Sequence, residues 1–152
     1  MKSYQDKIEF VRNHFEKNFE IFRRKFPLYR TKSGLALANE IKETNPQLVI
    51  DLGCGSNMFK SIIPNLIGVD IARLPEVDII SDIRELPKFF NKGCADWLLN
   101  FGPLNYFDEE WSNEICDVMR YLIKPNGIIV CHVNMKTVNH TIPRSTQWTD
   151  EK

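Results

Sequence analysis

Tyr4, Ile8, Val11, Phe15, Phe19, Phe22 and Phe26 recur at steps of three and four along the first part of the chain. That period puts them on one face of a long helix, which Pro27 ends. A second helix is predicted over 33–44, with Ser33 as its N-cap and Leu35, Leu37, Ala38 and Ile41 on its apolar side, broken by Asn45-Pro46. The pattern then changes to short apolar runs separated by helical or turn segments. Strands are predicted at 48–52, 66–71, 77–81, 96–101 and 128–133. Between them fall a short helix over 58–63, ended by Pro64-Asn65, a helical turn over 86–90, and a helix over 108–123 whose inner side is Trp111, Ile115, Val118, Met119 and Leu122.

Nearly continuous apolar strands alternating with helices indicate a parallel sheet covered on both faces. The expected fold is therefore α/β: a doubly wound, mostly parallel sheet of about five strands with an N-terminal helical extension. At 152 residues the chain is long enough for one domain with a core of its own and too short for two. Within that domain, 1–45 form the N-terminal helices, 46–134 the core and 135–152 a tail. In such folds ligands bind beyond the carboxyl ends of the strands, where the strand order reverses.

Charge excludes some partners. Lys and Arg number 20, as do Asp and Glu, so the molecule as a whole has no electrostatic attraction to nucleic acid or to an anionic membrane. The densest basic cluster, Arg23-Arg24-Lys25, reads as a solvated helix end favoured by the helix dipole. Cys54, Cys94, Cys116 and Cys131 form no C-x-x-C pair and have no histidine pair at zinc-ligand spacing, so no metal site is expected. They read as reduced, small hydrophobes in a cytoplasmic protein. The charged, amphipathic start lacks the apolar segment of a signal peptide, and no apolar run approaches the length of a membrane span.

The chemistry is concentrated in Val49-Ile50-Asp51-Leu52-Gly53-Cys54-Gly55-Ser56-Asn57. A strand ends in an acid and turns through two glycines, which lets a ligand approach main-chain atoms that a Cβ would shield. A second run, Ile67-Gly68-Val69-Asp70, ends in another acid nineteen residues after the first. An acid about 20 residues beyond a glycine turn suits the hydroxyls of a ribose. A dinucleotide fingerprint would place a third small residue where Met58 stands, so an NAD-dependent oxidoreductase is disfavoured.

The D-L-G-C-G-S-N run closely resembles the first motif of class I S-adenosylmethionine (AdoMet) dependent methyltransferases, and the resemblance extends over roughly 48–133. It implies that the Gly53-Cys54-Gly55 backbone faces the methionine part of AdoMet, that Asp51 helps hold its amino group, and that Asp70, with Ile71 beside it, binds the ribose. Ser81-Asp82-Ile83-Arg84-Glu85-Leu86-Pro87 resembles the family's segment after strand three. There Asp82 would accept from the adenine amino group and the Ile83 N–H would meet a ring nitrogen. Asn100 and Phe101, after strand four, would line the pocket beside the sulfonium. Asn100-Phe101-Gly102-Pro103 departs from the N-P-P-Y form of enzymes that methylate amino groups of DNA bases. Leu122-Ile123-Lys124-Pro125-Asn126-Gly127 resembles the family's turn before strand five, a structural element. Helices ahead of the first strand often cover the cofactor pocket in this family, so the aromatic stripe of the first helix suits both a packing face and a lid.

Methyl transfer is an in-line displacement at a carbon already activated by positive sulfur, so alignment is the main task and a base is needed only if the acceptor must lose a proton. No catalytic residue is assigned; Tyr106 and His132 are the candidates for a base, with His140 behind them. The methyl acceptor is not identified. The family's sheet usually adds a final antiparallel hairpin, whereas this sequence ends nineteen residues after Val133. The hairpin is expected to be lacking, in a natively minimal protein or a fragment, which leaves a sheet edge open to a partner or a second copy. The alternative function is a non-catalytic AdoMet- or nucleoside-binding module that completes or regulates a partner.

Overall fold

The computed structural model describes residues 4–25, 32–106 and 108–133. The expected helix stop at Pro27, Phe26, His140 and the tail beyond 133 lie outside the described residues, as do the side chains of Tyr4, Phe22 and Ser33.

Two helices, α1 (Tyr4–Lys25) and α2 (Lys32–Glu43), precede the sheet. The strands are β1 (Val49–Leu52), β2 (Leu66–Asp70), β3 (Ile79–Ile80), β4 (Ala95–Asn100) and β5 (Ile123–Cys131), with α3 (Glu109–Leu122) between the last two. Every pairing is parallel and the order is β3-β2-β1-β4-β5. The chain thus builds outward from β1 to β3, crosses back, and continues on the other side. The reversal falls between β1 and β4, where Leu52 stands opposite both Val69 and Asn100.

The strands' two-residue alternation fills two cores. Ile50, Leu52, Val69 and Leu98 face Ile8 and Val11 of α1 and Ile115, Met119 and Leu122 of α3. Val49, Leu66, Trp97 and Leu99 face Ala38 and Ile41 of α2, with Phe59 and Ile63. All four residues of β1 are buried, as a strand covered on both faces requires. Each fully buried Leu or Ile contributes about 1.5–3 kcal/mol. No described helix is long and apolar enough to cross a membrane.

The departures from the expected elements have local causes. β3 shortens to Ile79–Ile80, because the Asp78 carboxylate, not a strand carbonyl, accepts the Gly68 N–H (2.8 Å). The segment over 58–63 is a single 3-10 turn, Met58–Ser61. The turn over 86–90 belongs to a longer one, Ile83–Lys88, which Asp82 caps by accepting from the Arg84 N–H. β5 begins at Ile123, five residues early, directly at the end of α3. The expected turn is a bulge within it: Ala95 pairs with Ile123 but Trp97 with Ile128, and Asn126 takes a left-handed φ of 66°. Lys124 in that bulge reaches Asp96 (2.7 Å), which also accepts from the N–H groups of Gln47 (2.8 Å) and Leu48 (2.9 Å). These bonds fasten β5 to the entry of β1. Along β5, the adjacent Ile128 and Ile129 point to opposite faces and are 46% and 39% exposed.

Gly68 lets Asn57 lie against β2. A Cβ there would stand 2.5 Å from Asn57 Cγ. The amide is buried and fixed, donating to Glu76 O (2.8 Å) and Asp78 Oδ2 (2.9 Å). Gly68→Ala is expected to cost about 1–3 kcal/mol by overpacking. A shift of the urea midpoint at unchanged slope measures it, and a wild-type midpoint would refute the account.

Candidate functional site

Beyond Leu52 the chain turns through left-handed Gly53 (φ 74°), Gly55 (φ 53°) and Asn57 (φ 51°). The Gly53 and Cys54 N–H groups both donate to Val69 O (2.8 and 3.0 Å), and the Gly55 N–H donates to Asp70 Oδ2 (2.8 Å). The turn is therefore strapped to the end of β2. The two glycines serve different ends. A Cβ on Gly53 would stand 2.4 Å from Pro103 Cγ, so the loop after β4 packs directly on the turn. A Cβ on Gly55 would meet nothing within 4 Å: the turn is open there, and glycine is required by φ alone.

Two carboxylates lie beneath this turn. Asp51 is 4% exposed and Asp70 9%. Asp70 is well supplied with donors: besides Gly55, the Ala72 N–H reaches Oδ1 at 2.8 Å. No described group donates a hydrogen bond to the Asp51 carboxylate. Burial, and then the charge of Asp70, push its pKa up to about 7. Burial also raises Asp70, against the lowering effect of the N–H groups of Ala72, Gly55 and Ile71. The Cys54 thiol is pushed up by burial and then by Asp51, Asp70 and Asp78, so it remains a neutral thiol and not a nucleophile.

Other expected site residues occupy the same carboxyl edge of the sheet. The Ile71 carbonyl accepts from Arg12 Nε (3.0 Å). Asp82 is bound by Arg84 (2.8 Å), whose guanidinium also pairs with Glu114 (2.7 Å) and lies over the Trp111 ring at 4.3 Å. Burial raises the Asp82 pKa. Ile83 is a core residue beneath it. Asn100 is fully buried; its Nδ2 lies 3.8 Å from Met119 Sδ, and its Oδ1 has no hydrogen-bond partner among the described residues. Phe101 turns to the opposite face, 5.6 Å from the Phe59 ring in the α2 core, so the structure separates it from Asn100. Tyr106 stands edge-on to Phe15 at 4.9 Å. Burial, then Asp70, raise its phenol, which keeps it a proton donor at neutral pH. His132 is exposed at the end of β5, its N–H bonded to Asn100 O at 2.9 Å.

Sequence reasoning missed the clasp made by α1. Arg12 holds the Ile71 carbonyl, Glu16 Oε1 accepts from the Arg73 N–H (2.8 Å), Phe15 meets Tyr106, and Lys7 pairs with Asp108 (3.1 Å). The helix bridges the loops after β2 and β4, across the point where the strand order reverses. The aromatic stripe signalled Phe15, but Arg12, Glu16 and Lys7 lie among many charges and carried no such signal. The Asn57–Asp78 hook was also missed, since its partners are twenty-one residues apart.

No family model matches this sequence, and no curated protein sequence matches it. Solved structures do. The 1,6-didemethyltoxoflavin-N1-methyltransferase of Burkholderia thailandensis, solved with bound 1,6-didemethyltoxoflavin and S-adenosylhomocysteine, superposes with a TM-score of 0.63 at 16% identity, over 85% of this chain and 64% of that one. The magnesium protoporphyrin IX methyltransferase of Synechocystis PCC 6803, with bound S-adenosylhomocysteine, gives 0.60 at 15%, over 77% and 68%. The PH0226 protein of Pyrococcus horikoshii OT3 gives 0.53 at 20%, over 74% and 64%. This chain therefore spans about two thirds of the length of these structures. Five parallel strands in the order β3-β2-β1-β4-β5, with helices on both faces and these neighbours, give this chain the Rossmann-like fold of the class I AdoMet-dependent methyltransferases.

Proposed function

We propose that this chain is an AdoMet-dependent methyltransferase. The observation that carries the reading is Asp51: a buried carboxylate without a hydrogen-bond donor among the described residues, beside a second carboxylate, beneath a glycine turn that is open at Gly55. Such a place favours a ligand that brings positive charge and N–H donors, and AdoMet brings an ammonium and a sulfonium. In this reading Asp51 takes the ammonium, the Gly53-Cys54-Gly55 backbone lies along the methionine part, and Asp70 and Ile71 meet the ribose. Asp70 already accepts two backbone N–H groups, yet each carboxylate oxygen retains a second lone pair for a hydroxyl. Asp82 and Ile83 meet the adenine, and Asn100 lies nearest the sulfonium, while Phe101 packs on Phe59 on the other face of the sheet. The acceptor's lone pair forms the new bond to the methyl carbon while the carbon–sulfur pair passes to sulfur, leaving a thioether. Of the two candidate bases, Tyr106 is held protonated by burial and by Asp70, which leaves His132 as the base where the acceptor must lose a proton. All four cysteines are free, which suits the reducing cytoplasm.

The exposed Ile128 and Ile129 on β5 favour a second reading, an AdoMet-binding module whose sheet a partner or a second copy completes and which transfers no methyl group. Both readings require AdoMet binding. Calorimetric titration is expected to show binding of AdoMet and none of NAD; the reverse would overturn both. An acceptor screen read out as S-adenosylhomocysteine formation then separates them. Asp70→Ala is expected to weaken AdoMet binding by about 1–3 kcal/mol, the range for losing charged hydrogen bonds. Unchanged affinity in a folded variant would remove Asp70 from the site.

A further inference from the structure

We propose that Asp51 and Asp70 share one proton while the site is empty, and that the ligand's ammonium displaces it, so that cofactor uptake is coupled to proton release. The inference rests on the methyltransferase reading and adds a regulatory property to the same site. Its basis is geometric. Asp51 stands opposite Gly68 in the parallel ladder, two residues before Asp70 on the same face; both carboxylates are buried, and among the described residues backbone donors reach Asp70 only. Two like charges so placed, with water excluded, are not both ionised without a compensating cation.

Among the described residues, the groups around the pair offer no such cation. Cys54 of the turn is a neutral thiol. Tyr106, from the loop after β4, is a neutral phenol raised in part by Asp70. Asp78, near Cys54, adds negative charge and is itself paired with Lys60. Arg12 of α1, which reaches this edge, gives its guanidinium to the Ile71 carbonyl (3.0 Å) and to Glu9 (3.2 Å). A proton is thus the counter-charge of the empty site. A ligand ammonium supplies both the charge and the N–H donors that Asp51 lacks, and the displaced proton passes to the buffer.

Discrimination follows from this exchange. AdoMet and S-adenosylhomocysteine both carry the ammonium and release the proton, whereas 5′-methylthioadenosine has the same nucleoside without an ammonium and leaves the proton in place. Below the pKa of the pair, AdoMet affinity falls up to about tenfold per pH unit, because the proton competes for the same carboxylate. The affinity of 5′-methylthioadenosine stays level.

The test is titration calorimetry of the whole chain with AdoMet and with 5′-methylthioadenosine between pH 6 and pH 8, in buffers of different ionisation enthalpy. For AdoMet, release is expected to approach about one proton at pH 6 and to vanish toward pH 8; for methylthioadenosine it is expected to be absent throughout. AdoMet binding with no proton exchange across that range overturns the inference and leaves the methyltransferase reading intact. No AdoMet binding at any pH overturns that reading and the inference with it. A second measurement needs no ligand. The folded chain holds the Asp51 proton up to about pH 7, and the unfolded chain loses it near 3.8. The native state therefore binds more protons between those values, and this contribution to stability is lost as pH rises through that window. Asp51→Asn removes it, so the urea midpoint of the variant is expected to gain on that of the wild type as pH rises from 5 to 8. A constant difference between the two profiles overturns the inference.

Discussion

Burying two carboxylates toward the carboxyl ends of neighbouring strands is the constraint around which this molecule is organised. A carboxylate removed from water needs hydrogen-bond donors or a cation, and without them its charge costs several kcal/mol. For Asp70 the fold meets that need with backbone N–H groups from Gly55 and Ala72. Those bonds require the glycine turn to curl back over β2, which in turn requires left-handed conformations at Gly53 and Gly55. Asp51 has no such supply. The same bonds that stabilise one acid leave the other beside a negative charge, so the site's electrostatics follow directly from how its backbone is built.

Packing then fixes the turn in place from two directions. Pro103 of the loop after β4 fills the space where Gly53 lacks a side chain. Asn57 fills the corresponding space at Gly68 and hooks onto Asp78. Gly53 and Gly68 are each paired with a specific intruder, so the turn, β2 and the β4 loop form one interlocked unit. α1 closes over its edge through main-chain groups of the segment after β2. Such contacts depend on the position of the backbone and little on which side chains it carries.

The sequence showed its strands and helices wherever burial alone decides them. β1, β2, β4, α2 and α3 fall within a residue or two of the expected bounds because their apolar periods are unambiguous. It misled at β3 and at the start of β5. In the first, a carboxylate replaces the ladder's acceptor; in the second, a bulge joins Ile123 to the strand across a Lys-Pro-Asn-Gly segment that reads as a turn. Asp51, Gly53, Gly55 and Asp70 were legible because strand ends and glycine turns have fixed spacing. Arg12, Glu16 and Asp78 were not, since they act across 59, 57 and 21 residues of sequence on groups of ordinary polarity. The face of Phe101 was legible in principle: it follows Asn100 on a strand and must point the other way.

Electrostatics and secondary structure select against a dinucleotide by independent routes. A pyrophosphate is held at the N-terminus of a helix, where aligned peptide dipoles and free N–H groups meet its charge. Here the glycine turn leads into a four-residue 3-10 turn, Met58–Ser61, too short to gather such a dipole. Two of the N–H groups that a phosphate would use, those of Gly53 and Cys54, are already bonded to Val69 O, and a third, that of Gly55, to Asp70. The charge beneath is negative where a pyrophosphate needs it positive. A dinucleotide would have to break the bonds that hold the turn and accept repulsion in return, whereas the cationic aminoacyl nucleoside of the proposed function would leave them intact. Met58, at the third-glycine position, thus follows a turn whose N–H groups are already bonded to β2.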